Sequence, residues 1–184
     1  MKRLPIWLIA SLSLCGRYAH AQTPSEYIMT YAKLAVSEME RTGIPASIIL
    51  AQGILESGSG QSELAVSANN HFAIKAFHWN GSVSRKHYDR LERSKDRYRA
   101  YRCAEESYRD HSDFLKTKRY KPLFSINQTD YVSWAYGLRA CKYATDPAYP
   151  KKLIRMIERH SLYFYDRLTS KDMLVLEIFQ RIRI

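Results

Sequence analysis

Pro45-Ala46-Ser47-Ile48-Ile49-Leu50-Ala51-Gln52-Gly53-Ile54-Leu55-Glu56-Ser57-Gly58-Ser59-Gly60 is the stretch on which the reading of this chain turns. Its apolar residues fall on every side of a helix rather than along one stripe, which predicts a helix buried nearly all round. Pro45 suits the first helical position, because its missing N–H would have no intrahelical partner there. Gly58 and Gly60 end the helix. Glu56 is the anomaly, a carboxylate in the last turn of an otherwise apolar helix. The negative end of the helix dipole and the apolar surroundings both disfavour its charge and raise its pKa. A carboxylic acid kept protonated near neutral pH is what glycosidic cleavage requires of a general acid. The glycines that follow leave room for a polymer to approach.

Outward from this stretch the pattern stays helical. Tyr27, Tyr31, Leu34, Ala35 and Met39 keep helical spacing in a segment expected to start at a Ser25 cap and to run to about Thr42. Further helices are expected over Ala104–Lys116 and over Asp130–Ala140, the latter capped by Thr129. Asp146-Pro147 reads as a cap and first-turn proline opening a helix that carries Leu153, Ile154, Met156 and Ile157. Between Asn69 and Arg102 the pattern breaks. Trp79-Asn80-Gly81 signals a turn, and eight basic and three acidic residues crowd Arg85 to Arg102. A small β-hairpin lobe or a loop fits here. Residues after Asp166 read as a basic tail with a short helix near Leu174–Ile184.

With 184 residues, 46% hydrophobic and 26% charged, the chain has the composition of one globular domain and excludes a disordered, collagenous or multi-span membrane protein. Lys2 and Arg3, the apolar run Leu4–Leu14 and the small residues of Ala19-His20-Ala21 form an expected export signal over 1–21. An N-terminal core helix, or a lipid anchor at Cys15, are the alternatives. The run is too short to span a bilayer. Removing 1–21 leaves 26 basic against 18 acidic residues, a charge of +8. An exported protein of that charge is expected to meet an anionic cell-wall polymer or membrane surface rather than nucleic acid. Cys103 and Cys141 remain, and could form one disulfide. No cysteine or histidine spacing suits zinc, so neither metal nor cofactor is expected. His71 and His111 lack a third ligand at suitable spacing.

Several ordered motifs carry a family resemblance. Ile49–Gly58 followed by Asn69-Asn70-His71-Phe72-Ala73-Ile74-Lys75 is similar to the glucosaminidase domain of glycoside hydrolase family 73. Glu105–Leu115, Tyr131–Leu138 and Tyr143-Ala144-Thr145-Asp146-Pro147-Ala148-Tyr149 resemble later segments of that family. The resemblance spans roughly 27–166. It implies a mainly α (α+β), lysozyme-like domain over 22–166, with a hairpin lobe beside a cleft and the tail 167–184 outside it. It implies hydrolysis of the β-1,4 bond after N-acetylglucosamine in peptidoglycan, by an exported monomer in the periplasm or outside the cell. By that resemblance Glu56 takes the catalytic acid position, Tyr143 lies close to it, and Asn70, Phe72, Trp79 and Asp146 contact substrate.

The second carboxylate is less well marked. Asp89, Glu92 and Asp96 all follow the Trp79-Asn80-Gly81 turn, and Asp89 best fits the family's distance from it. Arg90 and Arg93 break the acidic run, and the substrate's own acetamido group is the alternative nucleophile. Ala73 stands where the family has glycine, which predicts strain if the site needs a positive φ. A muramidase, a lytic transglycosylase and a non-catalytic wall-binding module are the rival readings, since fold does not fix function.

Overall fold

The computed structural model describes residues 23–77, 79–85 and 97–182. The expected export signal, and Asp89, Glu92 and Asp96, lie outside the described residues. The fold is mainly helical, as the sequence predicts. Helix α1 (Pro24–Thr42) begins at a Thr23 cap, not Ser25: Thr23 and Glu26 bond each other's backbone N–H in a capping box. Helix α2 (Ala46–Ser57) has Pro45 just before its first turn and ends at Gly58 in the left-handed conformation. It is the axis of the core. Ala46 through Ile54 are all buried, and α2 packs on α1, on helix α6 (Tyr149–Arg159) and on the short 3-10 helix Leu162–Arg167.

One glycine inside α2 is dictated by packing. Tyr27, Tyr31, His71 and Tyr108 form a buried aromatic cluster behind the helix. The Tyr108 hydroxyl donates to the Tyr27 hydroxyl at 2.8 Å, and Tyr27 bonds His71 Nδ1 at 3.1 Å. A Cβ on Gly53 would come within 2.5 Å of the Tyr27 hydroxyl. Alanine is the better helix former, but here the overlap wins, because a fully buried ring cannot swing aside. Gly53→Ala is expected to lower stability by about 2 kcal/mol in urea denaturation.

Helix α3 (Glu63–Ala68) follows, too short to show a period in sequence. The lobe is a β-hairpin: β1 (Val83–Arg85) pairs antiparallel with β2 (Arg97–Arg99), Val83 opposite Arg99. Backbone bonds from Ala76 to Arg97 and from Arg99 to Ile74 zip residues 74–76 onto the other edge of β2. Arg99 anchors the lobe to helix α4 (Ala104–Leu115), its guanidinium 2.8 Å from both carboxylate oxygens of Asp110. Tyr101 donates to the same carboxylate at 2.6 Å.

A 3-10 helix (Lys118–Ser125, containing Pro122) leads to helix α5 (Tyr131–Ala140), whose cap is Asp130 rather than Thr129. Helix α6 starts at Tyr149 with Pro150 in its first turn, two residues later than the Asp146-Pro147 reading. Asp146 instead closes the preceding turn, accepting from the Ala148 N–H at 2.8 Å. The tail forms helix α7 (Ser170–Ile182), which lies along α1 through Met173, a Lys33–Glu177 ion pair and a Ser170 bond to Glu40. Cys141 is a free thiol, so no bridge joins it to Cys103. Among the described residues no helix is long and apolar enough to cross a membrane, and no three His, Cys, Asp or Glu side chains cluster as metal ligands.

Candidate active site

A cleft of about 740 Å³ runs between the hairpin lobe and the helical body. Glu56 lines it from the last turn of α2. Burial pushes the Glu56 carboxyl above its ordinary value, partly offset by one hydrogen bond. That bond comes from the Tyr149 hydroxyl, which donates to Glu56 Oε1 at 3.0 Å. The Gln52 amide in turn donates to the Tyr149 oxygen at 3.2 Å. Gln52 and Glu56 stand one turn apart on α2, so both reach the same phenol. One carboxyl oxygen is thereby fixed while the group stays half-buried at the cleft.

Tyr143 also lines the cleft, stacked on Tyr149 with ring centroids 5.8 Å apart. Burial, then the neighbouring Tyr149 and Glu56, hold its phenol well above the usual tyrosine range, so it remains a neutral hydroxyl. The loop that presents it is clamped by Arg119, which donates at 2.7 Å to the carbonyl oxygens of both Cys141 and Lys142. Phe72 forms part of the floor and stacks on His111 at 3.9 Å. Burial drops the His111 pKa to about 3, so the ring beneath Phe72 is uncharged.

Two of the other expected contacts, Asn70 and Trp79, are placed differently. Asn70 is buried and does not line the cleft. Its side chain bonds the Ile74 N–H and the carbonyls of Ile74 and Arg99, shaping the turn that leads into the lobe. Trp79 packs outside the cleft, with Arg99 4.5 Å above its ring and its indole N–H on the Ser82 carbonyl. The aromatic on the lobe wall is Phe77, 70% exposed, a flat apolar surface suited to a sugar ring. Asp146 reaches the cleft rim, paired with Lys152 at 2.7 Å.

Ala73 lines the cleft at φ +50°, where an L side chain costs about 1–2 kcal/mol. The glycine expected at this position is therefore a backbone requirement. Ala73→Gly is expected to raise stability by about 1 kcal/mol, partly offset by the greater entropy of the unfolded chain, and to raise Tm in a thermal melt.

The sequence profile of the glucosaminidase family, described as mannosyl-glycoprotein endo-beta-N-acetylglucosaminidase, matches residues 32–162. The chain belongs to this family. The match covers α2 with Glu56, the lobe, and the loop from Tyr143 to Tyr149. Among curated relatives in the family's range, the exo-glucosaminidase LytG of Bacillus subtilis is 34% identical over 69% of this chain and 48% of its own. An autolysin of Enterococcus faecalis is 31% identical over 91% of this chain and 24% of its own. The chain thus spans a quarter to about half of those relatives' length. A peptidoglycan hydrolase from Sphingomonas sp. A1 superposes with a TM-score of 0.66 at 28% identity, covering 78% of this chain and 92% of that one.

Tyr149, Gln52, Arg119 and Phe77 are the site residues that sequence reading missed. Gln52 carried a usable signal, a polar side chain one turn before Glu56 in an apolar helix. Tyr149 sits inside the last family motif but resembles an ordinary core aromatic next to Pro150.

Proposed function

We propose that this chain is an exported glycoside hydrolase cleaving the β-1,4 bond after N-acetylglucosamine in peptidoglycan, with Glu56 as general acid. The observation that carries this reading is the half-buried Glu56 carboxyl at the cleft, one oxygen held by Tyr149. Relatives described as an autolysin, an exo-glucosaminidase and a peptidoglycan hydrolase support the substrate class.

In this mechanism the Glu56 proton moves to the glycosidic oxygen as the bond from that oxygen to the anomeric carbon breaks. Positive charge develops at the anomeric carbon. Tyr143, a neutral hydroxyl beside Glu56, orients the sugar there. Attack then follows one of two courses. Asp89 takes a proton from water as the water adds, or the substrate's acetamido oxygen closes on the anomeric carbon and water later opens that ring. Asp146, the other carboxylate among the described cleft residues, is engaged by Lys152. Phe77 and Phe72 supply apolar surface for the sugar rings. The protein acts in the periplasm or outside the cell, after loss of 1–21.

The test is the chemistry of the new chain ends. Purified peptidoglycan is digested, reduced with borohydride and analysed by mass spectrometry. Reduced N-acetylglucosamine ends are expected. Reduced muramic acid ends would indicate a muramidase, and anhydro-muramyl ends a transglycosylase.

A further inference from the structure

The cleft wall that carries Tyr143 is more positive than cleavage of a neutral sugar bond requires. Among the cleft-lining cations, Lys152 is met by Asp146 at 2.7 Å and Arg99 by Asp110 at 2.8 Å. Arg119 and Lys142 differ. The described hydrogen bonds of Arg119 run to the carbonyl oxygens of Cys141 and Lys142 and its guanidinium lies 5.5 Å from the Tyr120 ring, so among the described residues no carboxylate pairs with it. Lys142 is exposed and has no carboxylate within ion-pair distance among the described residues. Both residues line the cleft, and Arg119 grips the backbone directly before Tyr143. The Lys142 backbone is held at φ +58°, an uncommon conformation for a lysine, and the clamp from Arg119 maintains it.

N-acetylglucosamine has no charge. In peptidoglycan the carboxylates belong to the muramyl residue, in the stem peptide or, where that is stripped, in the lactyl group itself. We infer that Arg119 and Lys142 form a carboxylate subsite beside Tyr143 that binds the stem peptide of the muramyl residue next to the cleaved bond. This deepens the peptidoglycan reading and rests on it. The subsite makes peptide-bearing glycan the preferred substrate over stripped glycan or chitin-type oligosaccharide.

Binding by the Glu56→Gln protein separates the parts, because no cleavage intervenes. Three ligands are titrated calorimetrically: chitotetraose, a stripped muramyl tetrasaccharide and the same tetrasaccharide bearing stem peptides. The peptide-bearing ligand is expected to bind about fivefold tighter than chitotetraose, the scale of exposed charge pairing. Half-molar salt is expected to erase the difference. Adding Lys142→Glu should remove the preference and leave chitotetraose unchanged. Lys142→Gly should do the same while relieving the backbone, so a folding defect cannot explain the loss. Equal tightening by the stripped ligand overturns the stem peptide as the occupant and points to the lactyl carboxylate in its place. Equal affinity for all three ligands, or a loss that includes chitotetraose, overturns the subsite alone. Failure to bind any of them, with no cleavage by the unsubstituted protein, overturns the peptidoglycan reading together with the subsite.

Discussion

Glu56→Gln lowers the rate of glycan cleavage about a thousandfold while the protein stays folded and still binds glycan. The size follows from general acid catalysis, which contributes about 10²–10⁴ in rate. Glutamine keeps the shape of the side chain and can still accept the Tyr149 hydrogen bond seen on Oε1. It has no acidic proton to give to the leaving oxygen. Release of soluble fragments gives the rate, and an unchanged circular dichroism melt shows that the loss is chemical. A variant within tenfold of the unsubstituted protein would remove Glu56 from the role assigned to it.

The largest stability effect lies at the other end of the same helix. Asp166, 6% exposed, accepts the Ser47 N–H on Oδ1 and the Ser47 hydroxyl on Oδ2, each at 2.7 Å. It thus caps α2 from a segment 119 positions away. Asp166→Ala leaves both buried Ser47 donors unpaired, at about 1–3 kcal/mol each, so a loss of about 3 kcal/mol is expected. Ionisation of this carboxyl is opposed by burial, which raises it to about 6 from the ordinary 3.8. The folded protein therefore holds a proton that the unfolded chain has lost between those values. Stability from this group is full below about 4 and falls as pH rises towards about 6. Asp166→Asn should flatten that slope at a smaller loss of about 1 kcal/mol, because one acceptor remains. Urea denaturation across pH 4 to 7 reads both effects, and an unchanged slope in Asp166→Asn would assign the pH dependence elsewhere.

The buried axis of the fold was legible because Ile48 to Leu55 leave no polar face to turn towards water. Glu56 was legible for the same reason, as a charge where such a helix tolerates none. The hairpin lobe showed itself as a break in helical period. Cap positions were read one or two residues off, although Thr23 with Glu26 three residues later is a capping-box signature. Helix α3 and the Lys118–Ser125 turn were missed because six and eight residues give too little period. The site's wiring was the least legible part. Tyr149 on Glu56, Arg119 on the 141–142 carbonyls and Asp166 on Ser47 are all side-chain bonds between distant segments, which packing decides. Asn70 and Trp79 show the converse: polar and aromatic residues near a cleft can be occupied in building it.

The pH dependence of kcat/KM on glycan, for the unsubstituted protein and Tyr149→Phe, tests the central claim most directly. A general acid works only while protonated, so the rate should fall as pH rises through the Glu56 pKa, with a midpoint above the ordinary glutamate value because burial raises it. Tyr149 lowers that pKa through its hydrogen bond, so Tyr149→Phe should move the falling limb to higher pH. A rate that rises through the glutamate range and stays level above neutrality in both proteins would contradict the account, because Glu56 would then act as a carboxylate and not as an acid.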